Sequence, residues 1–387
     1  LYGFRKKEGR WAVYRMALDG TMREELVFAR PDVDVDTLLF IGRRHRVIGA
    51  SYVVDTRQTV YFDPELEKLS KALSKALRGQ PRIRIVDSSL DENKLLILAS
   101  GDDDPGVYYI LDRKTRELAI FQPVRPQLEG LKLAKMQHVS YPAADGTMIP
   151  AYLTLPPEGP SKGLPAIVMP HGGPSARDEW GFDWQVQYYA ARGFAVLQPN
   201  FRGSSGYGDS WFEENGFKSW PVAIGDITAG GRWLIQQGIA DPAKLASVGW
   251  SYGGYAALQS AVVDPELFKA IVAIAPVSDL AKLKGEFKWW SNRKIMSDYI
   301  GSGPHIEQGS PARHAPRIKA PVALFHGTMD RNVNVDQSRH MAARLKEAGV
   351  PHHITIFENR DHSLNDSAIR RQLLSESDAF LRKSMGM

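Results

Sequence analysis

The chain has 387 residues, 43% of them hydrophobic and 24% charged, a formal net charge of +5 and no cysteine. That length predicts two domains, or one large domain with a satellite, in an ordinary globular protein. The lack of cysteine excludes disulfides, cysteine nucleophiles and thiolate metal sites, and no apolar run approaches the length of a membrane span. The basic clusters "GFRKK" and "IGRRHR" read as solvated faces rather than a nucleic-acid track, since no binding motif accompanies them. A start at Leu1, with no methionine or signal-like segment, reads as a processed or truncated piece of a longer protein. The compartment, cytoplasmic or periplasmic, stays open.

Residues 1–130 form the first expected domain, a partial β-propeller-like region. "RWAVYRMAL" is followed by the turn "DGT" and then "EELVFA"; "KLLILAS", the turn "GDDDPG", "VYYILDR" and "ELAIF" repeat the pattern. Short strands joined by tight turns mark an antiparallel domain such as propeller blades or a sandwich. Leu66, Leu69, Leu73 and Leu77 recur at helical spacing and predict one interrupting helix, whose apolar stripe reads as a packing face. The strands suffice for two or three blades, fewer than the roughly four that close a propeller.

Residues 131–387 form the second expected domain, in which strands alternate with helices. This is the pattern of a mostly parallel sheet covered on both faces. "GLPAIVMPHGG" reads as a buried strand entering a glycine loop, "WQVQYYAARG" as a helix, and "FAVLQPNFRGSSGYG" as the next strand and loop. "DITAGGRWLIQQG" is a helix, "LASVG" a strand and "YAALQSAVVDP" a helix. The strands "AIVAIAP", "PVALFHG" and "HHITIFE" and the helix "IRRQLLSESDAFLRK" complete the chain. The expected fold is an α/β-hydrolase with an N-terminal antiparallel region, the last blades of a propeller.

Between "LASVG" and the following helix lies "GWSYGGY", which fits the Gly-x-Ser-x-Gly elbow and makes Ser251 the candidate nucleophile. A serine needs a base, and the base an orienting acid, in the order serine, acid, histidine past successive strand ends. Asp330 in "ALFHGTMDRNV" and His362 in "HHITIFENRDHSL" fall at such ends. Asp279 in "PVSDL" is the runner-up acid, and Asp361 reads as a turn residue. His326 precedes Asp330 at a strand end and suits a structural hydrogen bond. His352 and His353 begin a strand, and His340 lies on a helix. Acyl transfer also needs oxyanion donors. Tyr252 N–H follows the nucleophile, and Gly173 N–H in "HGGP" is the second candidate, with His171 in a loop-supporting role.

"HGGPSARD", "AARGFAVLQPNFRGSSGYG", "GWSYGGYAAL", "HGTMDRNV" and "DHSL", in this order, resemble the prolyl oligopeptidase family of serine peptidases, especially its acylaminoacyl-peptidase and dipeptidyl-aminopeptidase-like branch. The resemblance covers residues from about 135 to the C-terminus. It implies an α/β-hydrolase domain gated by an N-terminal propeller, with Ser251, Asp330 and His362 as triad and Gly173 and Tyr252 as oxyanion donors. It puts Arg202 in the "RGSxGYG" loop, either binding substrate or holding the loop by a salt bridge. It puts "GEFKWWSNRKIM" near the pocket for the residue before the scissile bond. There Trp289 and Trp290 form either an apolar wall or the packing of a lid. Glu24 and Glu25, a tempting pair for a free amino terminus, read as a solvated strand edge. The chain departs from the family in offering only the end of a propeller.

The expected function is hydrolysis of short peptides by a Ser-Asp-His triad through an acyl-enzyme, with no metal or organic cofactor. An esterase with the same triad, a specialised isopeptidase acting on lasso-type peptides and a catalytically idle binding protein are the alternatives. The expected partner is a peptide, not nucleic acid or membrane. Strand edges of an incomplete propeller predict an oligomer or association with a missing propeller segment.

Overall fold

Strands of five to eight residues build the N-terminal part as three antiparallel sheets. The first joins β1 (Tyr2–Lys7), β2 (Arg10–Met16) and β3 (Glu24–Phe28); the second β4 (Val35–Ile41), β5 (Arg46–Val53) and β6 (Arg57–Tyr61). The third runs in the order β10-β9-β8-β7, from Leu118–Pro123, Val107–Asp112, Lys94–Ser100 and Arg82–Ser88. The protein was analysed as a computed structural model, which describes residues 1–79, 81–212 and 216–387.

Each of these sheets is a small meander of the kind that makes a propeller blade. Helix α1 (Pro64–Ala76) interrupts them. Asp63 caps it by accepting from Glu65 N at 3.0 Å, and Pro64 starts it with a preset φ. Its Leu66 and Leu73 are buried with Ile83, Ile85, Leu95 and Ile97, so the leucine stripe is a packing face.

The chain divides into two compact units. Unit 1 is Leu1–Met136 joined by two returning segments, Glu179–Trp184 and Gly206–Ser210. Those segments are held within it by ion pairs and hydrogen bonds. Arg57 Nε donates to Glu179 at 2.8 Å, Trp180 Nε1 to the Met136 carbonyl at 3.2 Å, and Lys6 Nζ to Asp209 at 2.6 Å. Unit 2 is Gln137–Asp178, Gln185–Ser205 and Trp211–Met387.

The large sheet of the second half joins β11 (Met136–Pro142), β12 (Met148–Thr154), β13 (Leu164–Val168), β14 (Ala195–Pro199), β15 (Ala240–Trp250), β16 (Ala270–Ile274), β17 (Val322–Gly327) and β18 (His352–Phe357). Their order is β11-β12-β14-β13-β15-β16-β17-β18, with β14 to β18 parallel and β12 antiparallel to β14. Every residue of β14, β16 and β17 is buried, which is why these strands read as continuous apolar runs instead of alternating. The helices that alternate with these strands include α2 (Trp184–Ala191), α3 (Trp220–Gln236), α4 (Tyr252–Val263), α5 (Leu280–Glu286), α6 (Arg293–Ile300), α7 (Asp336–Glu347) and α8 (Ser367–Ser384). This is the expected α/β-hydrolase architecture with antiparallel sheets before it.

Strand order fixes where chemistry can occur. The chain goes from β13 outward to β14, then returns across β13 to continue through β15, β16, β17 and β18. The loops after β13 and β15 therefore leave neighbouring strands at the point where the order reverses, the usual crevice for ligands in open parallel sheets. No helix among the described residues is long and apolar enough to cross a membrane.

Candidate active site

Ser251 stands between β15 and α4 with φ 60° and ψ −120°, a conformation that costs a non-glycine residue energy. Three contacts force it. Ser251 N donates to the Ile274 carbonyl at 2.8 Å, Tyr255 N returns to the Ser251 carbonyl at 3.0 Å, and the strand and helix touch through glycines. A Cβ at Gly249 would lie 2.1 Å from the Gly253 carbonyl oxygen, and one at Gly253 would lie 2.1 Å from the Pro170 oxygen. Only glycine permits that approach.

The loop after β13 packs beside it. A Cβ at Gly172 would lie 3.3 Å from the Trp250 carbonyl oxygen and 3.6 Å from Ser251 Cβ. Gly173, at φ 127°, lines the same cavity as Ser251 and Tyr252. His171 is buried and stacks on Phe201 with centroids 4.3 Å apart. Burial lowers its pKa to about 4, against a smaller opposing effect of its hydrogen bond with Gly172, so the ring is neutral at ordinary pH. The Tyr252 hydroxyl is turned into the core, where it donates to the Gly216 carbonyl at 2.7 Å. Its backbone N–H belongs to the first turn of α4, whose N–H groups have no acceptor within the helix.

Asp330 follows β17 and is buried. Its Oδ2 accepts from His362 Nδ1 at 2.6 Å and faces His326 Nε2 at 3.2 Å, while its Oδ1 accepts from Asn332 N and Val333 N at 2.8 and 2.9 Å. Burial alone would raise its pKa. The hydrogen bonds from His326 and His362 outweigh burial and hold the carboxyl well below the usual range. His326 is in turn fixed by Ser338 Oγ, 2.8 Å from its Nδ1. His362 follows β18, and its carbonyl accepts from Trp250 Nε1 at 3.0 Å. The loop carrying the imidazole is thus tied to the residue immediately before Ser251.

Two cavities meet at this point. One, of about 330 Å³, is lined by Ser251, Tyr252 and Gly173 and by apolar groups including Phe217, Leu283 and Trp290. The other, of about 570 Å³, is lined mainly by polar and charged residues, among them His362, Asn359 and Arg360. Arg331 and Asn332 line both.

The remaining candidates are distributed as follows. Trp290 lines the Ser251 cavity, whereas Trp289 is 87% exposed under Lys288 Nζ and is not among the lining residues. Arg202 lines neither cavity. Its Nε and Nη2 donate to the buried Asp226 at 3.0 and 2.6 Å, and its Nη1 to Asp145 at 2.5 Å. Asp279 caps α5 through Lys282 N and binds Arg313 Nε at 2.8 Å, and Asp361 caps its own turn through Ser363 N. Glu24 and Glu25 are exposed and paired with Arg5 and Arg15. Sequence reasoning did not single out Trp250, Arg331 or Asn332. Trp250 occupies the variable position of the elbow motif, and the other two follow Asp330 directly.

The prolyl oligopeptidase family model matches residues 180–387, more than half of the chain. The chain belongs to that family. Members it resembles include dipeptidyl peptidase family member 6 of Caenorhabditis elegans, 28% identical over 93% of this chain and 54% of the relative. Dipeptidyl aminopeptidase BIII of Pseudoxanthomonas mexicana is 28% identical over 88% and 51%. The chain spans about half the length of these curated relatives. Among solved structures, a puromycin-hydrolyzing peptidase of Mycobacterium tuberculosis superposes over 100% of this chain and 60% of its own, with a TM-score of 0.81 at 23% identity. The acylaminoacyl peptidase of Pyrococcus horikoshii gives 0.75 at 21% identity, over 98% and 60%. At these identities the structural likeness speaks for the family's fold.

Proposed function

We propose that the chain carries the catalytic apparatus of a serine peptidase acting on short peptides. Ser251 is the nucleophile, His362 the base, Asp330 the orienting acid, and the Gly173 and Tyr252 N–H groups the oxyanion donors. The observation that carries this reading is the 2.6 Å contact of His362 Nδ1 with an ionised Asp330, on a loop tied to Trp250 beside the strained Ser251.

In this mechanism Ser251 Oγ attacks the peptide carbonyl while His362 Nε2 takes its proton. Asp330 keeps the Nδ1 tautomer and stabilises the imidazolium. The oxyanion forms against N–H groups already in place, so little reorganisation is needed. His362 then protonates the leaving amine, and water reverses the sequence to release the acid. The apolar cavity holds the side chain before the scissile bond, with Trp290 as part of its wall. Arg202 positions the 201–208 loop through Asp226.

The test is a panel of peptides with free, acetylated and isopeptide-linked termini, and a p-nitrophenyl ester, given to the parent and to Ser251→Ala. Cleavage of peptides by the parent and not the variant is the expected result. Hydrolysis of the ester alone would replace the peptidase by an esterase.

A further inference from the structure

Arg331 is exposed and has no hydrogen-bond or ion-pair partner among the described residues, yet it stands on the partition between the two cavities. Its position is fixed by backbone. Asp330 Oδ1 accepts from both Asn332 N and Val333 N, closing a tight turn with Arg331 at its apex. On the Ser251 side of that apex the walls are largely apolar, and on the His362 side they are more mixed, lined mainly by polar and charged residues.

The polar cavity contains four charged side chains besides His362. Asp361 accepts from Ser363 N and Leu364 N, at 3.2 and 3.1 Å. Asp366 caps α8 through Ala368 N and Ile369 N, with its other oxygen 3.5 Å from Arg360 Nη2. Each aspartate is therefore engaged locally, and Arg360 has an acidic neighbour. Arg331 is the cation left without one.

This placement acquires meaning from the reading of Ser251 and His362 as nucleophile and base, on which the inference rests. The acyl part of the substrate lies with Ser251 and the oxyanion donors. The leaving amine must lie against His362, which protonates it. The leaving group thus emerges into the polar cavity, whose volume of about 570 Å³ suits a fragment of one or a few residues.

We propose that this cavity is the leaving-group subsite and that Arg331 recognises a carboxylate there. The preferred substrate is a peptide whose free C-terminal carboxylate lies one or two residues beyond the scissile bond. A guanidinium matches a carboxylate through paired, charge-assisted hydrogen bonds, which a C-terminal amide cannot return.

The experiment uses peptides that end one, two or three residues after a phenylalanine, each as free acid and as amide, with the parent and Arg331→Gln. The parent is expected to favour the acid by about tenfold or more in kcat/KM, chiefly through KM, at one of the two shorter lengths. In Arg331→Gln the ratio falls to about one, and Arg331→Lys restores part of it. Equal rates on acid and amide by the parent, or a preference that survives in Arg331→Gln, overturn the proposal.

A second measurement separates this from failure of the peptidase reading. Ala-Ala and Ala-Ala amide are titrated onto parent and variant by calorimetry. If the parent cleaves no peptide, the peptidase reading falls. Binding of the acid alone, lost in Arg331→Gln, would still establish the carboxylate site; no acid-selective binding would remove it.

Discussion

Trp250 Nε1 donates to the carbonyl of His362 at 3.0 Å, across a sequence separation of 112 residues. The indole lies one position before Ser251, so the elbow and the histidine loop share an anchor. In Trp250→Phe an aromatic ring remains, smaller than the indole, and the donor is lost. One neutral hydrogen bond is worth about 1 kcal/mol, a small change in thermal midpoint. A displaced imidazole is expected to cost kcat on the order of tenfold or more, since positioning errors of an ångström are costly. A kcat equal to the parent's would show that the anchor does not position His362.

Asp330→Asn separates charge from shape. The amide oxygen can still accept from Asn332 N and Val333 N, but the NH₂ would face His362 and favour the wrong tautomer. A fall in kcat of about 10⁴-fold is expected, with the fold retained. The carboxyl's folded pKa is depressed, so its stabilisation is complete above the unfolded value near 3.9 and is lost as pH falls below it. Stability curves of both proteins should therefore be furthest apart at neutral pH, begin to approach only as pH falls below about 4, and meet well below it. Parallel curves would contradict the depressed pKa.

Gly253→Ala and Gly225→Ala form a matched pair. The first would place a methyl 2.1 Å from the Pro170 oxygen, whereas the second, in α3, meets nothing within 4 Å. Gly253→Ala is expected to destabilise by about 1–3 kcal/mol or more and to abolish labelling of Ser251 by a fluorophosphonate. Gly225→Ala should be neutral or stabilising by about 0.5–1 kcal/mol. Denaturant midpoints decide both.

Arg202→Met removes the guanidinium from the buried Asp226 carboxylate and leaves the backbone N–H of residue 202, at 2.9 Å, in place. Burial raises the Asp226 pKa, and Arg202 is the group that opposes this. A loss of about 3 kcal/mol is expected, partly recovered by adding Asp226→Asn. Unfolding curves of the single and double variants measure it. If Arg202 held substrate directly, the single variant would instead raise KM with stability unchanged.

Trp289 and Trp290 are neighbours with different surroundings. Trp290→Ala is expected to lower kcat/KM for peptides with a large apolar residue before the scissile bond by about tenfold or more. Trp289→Ala, removing a ring that is 87% exposed, should leave it near the parent value. Equal losses would show that the pair acts as a lid.

The second unit was legible because each candidate residue follows an apolar strand. The runs ending near Ser251 and Asp330 are buried on both faces, and such strands announce themselves by composition, whereas the edge strand before His362 is mostly half-buried and shows itself by its β-branched and aromatic residues Ile354, Thr355, Ile356 and Phe357. Strands β4 to β6 were not legible. Their exposed positions carry Asp, Thr, Arg and Gln with a lone Phe40, and the turn between β4 and β5 is "GRRH", read as a basic cluster. Helix α3 begins six residues before its apolar core suggested, because Pro221 rather than a polar cap opens it. The unequal exposure of Trp289 and Trp290 depends on a local bend between short helices, and no periodicity encodes it. Arg331 was invisible for a different reason: its significance is that of a boundary between two spaces.

The Asp330 carboxylate is divided between two tasks, one oxygen for His362 and one for the turn bearing Arg331 and Asn332. On the proposed roles of Asp330 and Arg331, rate and selectivity are thereby placed under one lock. Under that proposal the acid could not migrate to another loop without also dismantling the turn that presents Arg331. New selectivity is accordingly most accessible by exchanging the side chains at 331 and 332 while keeping the turn, which makes those two positions the natural targets for a recombination library.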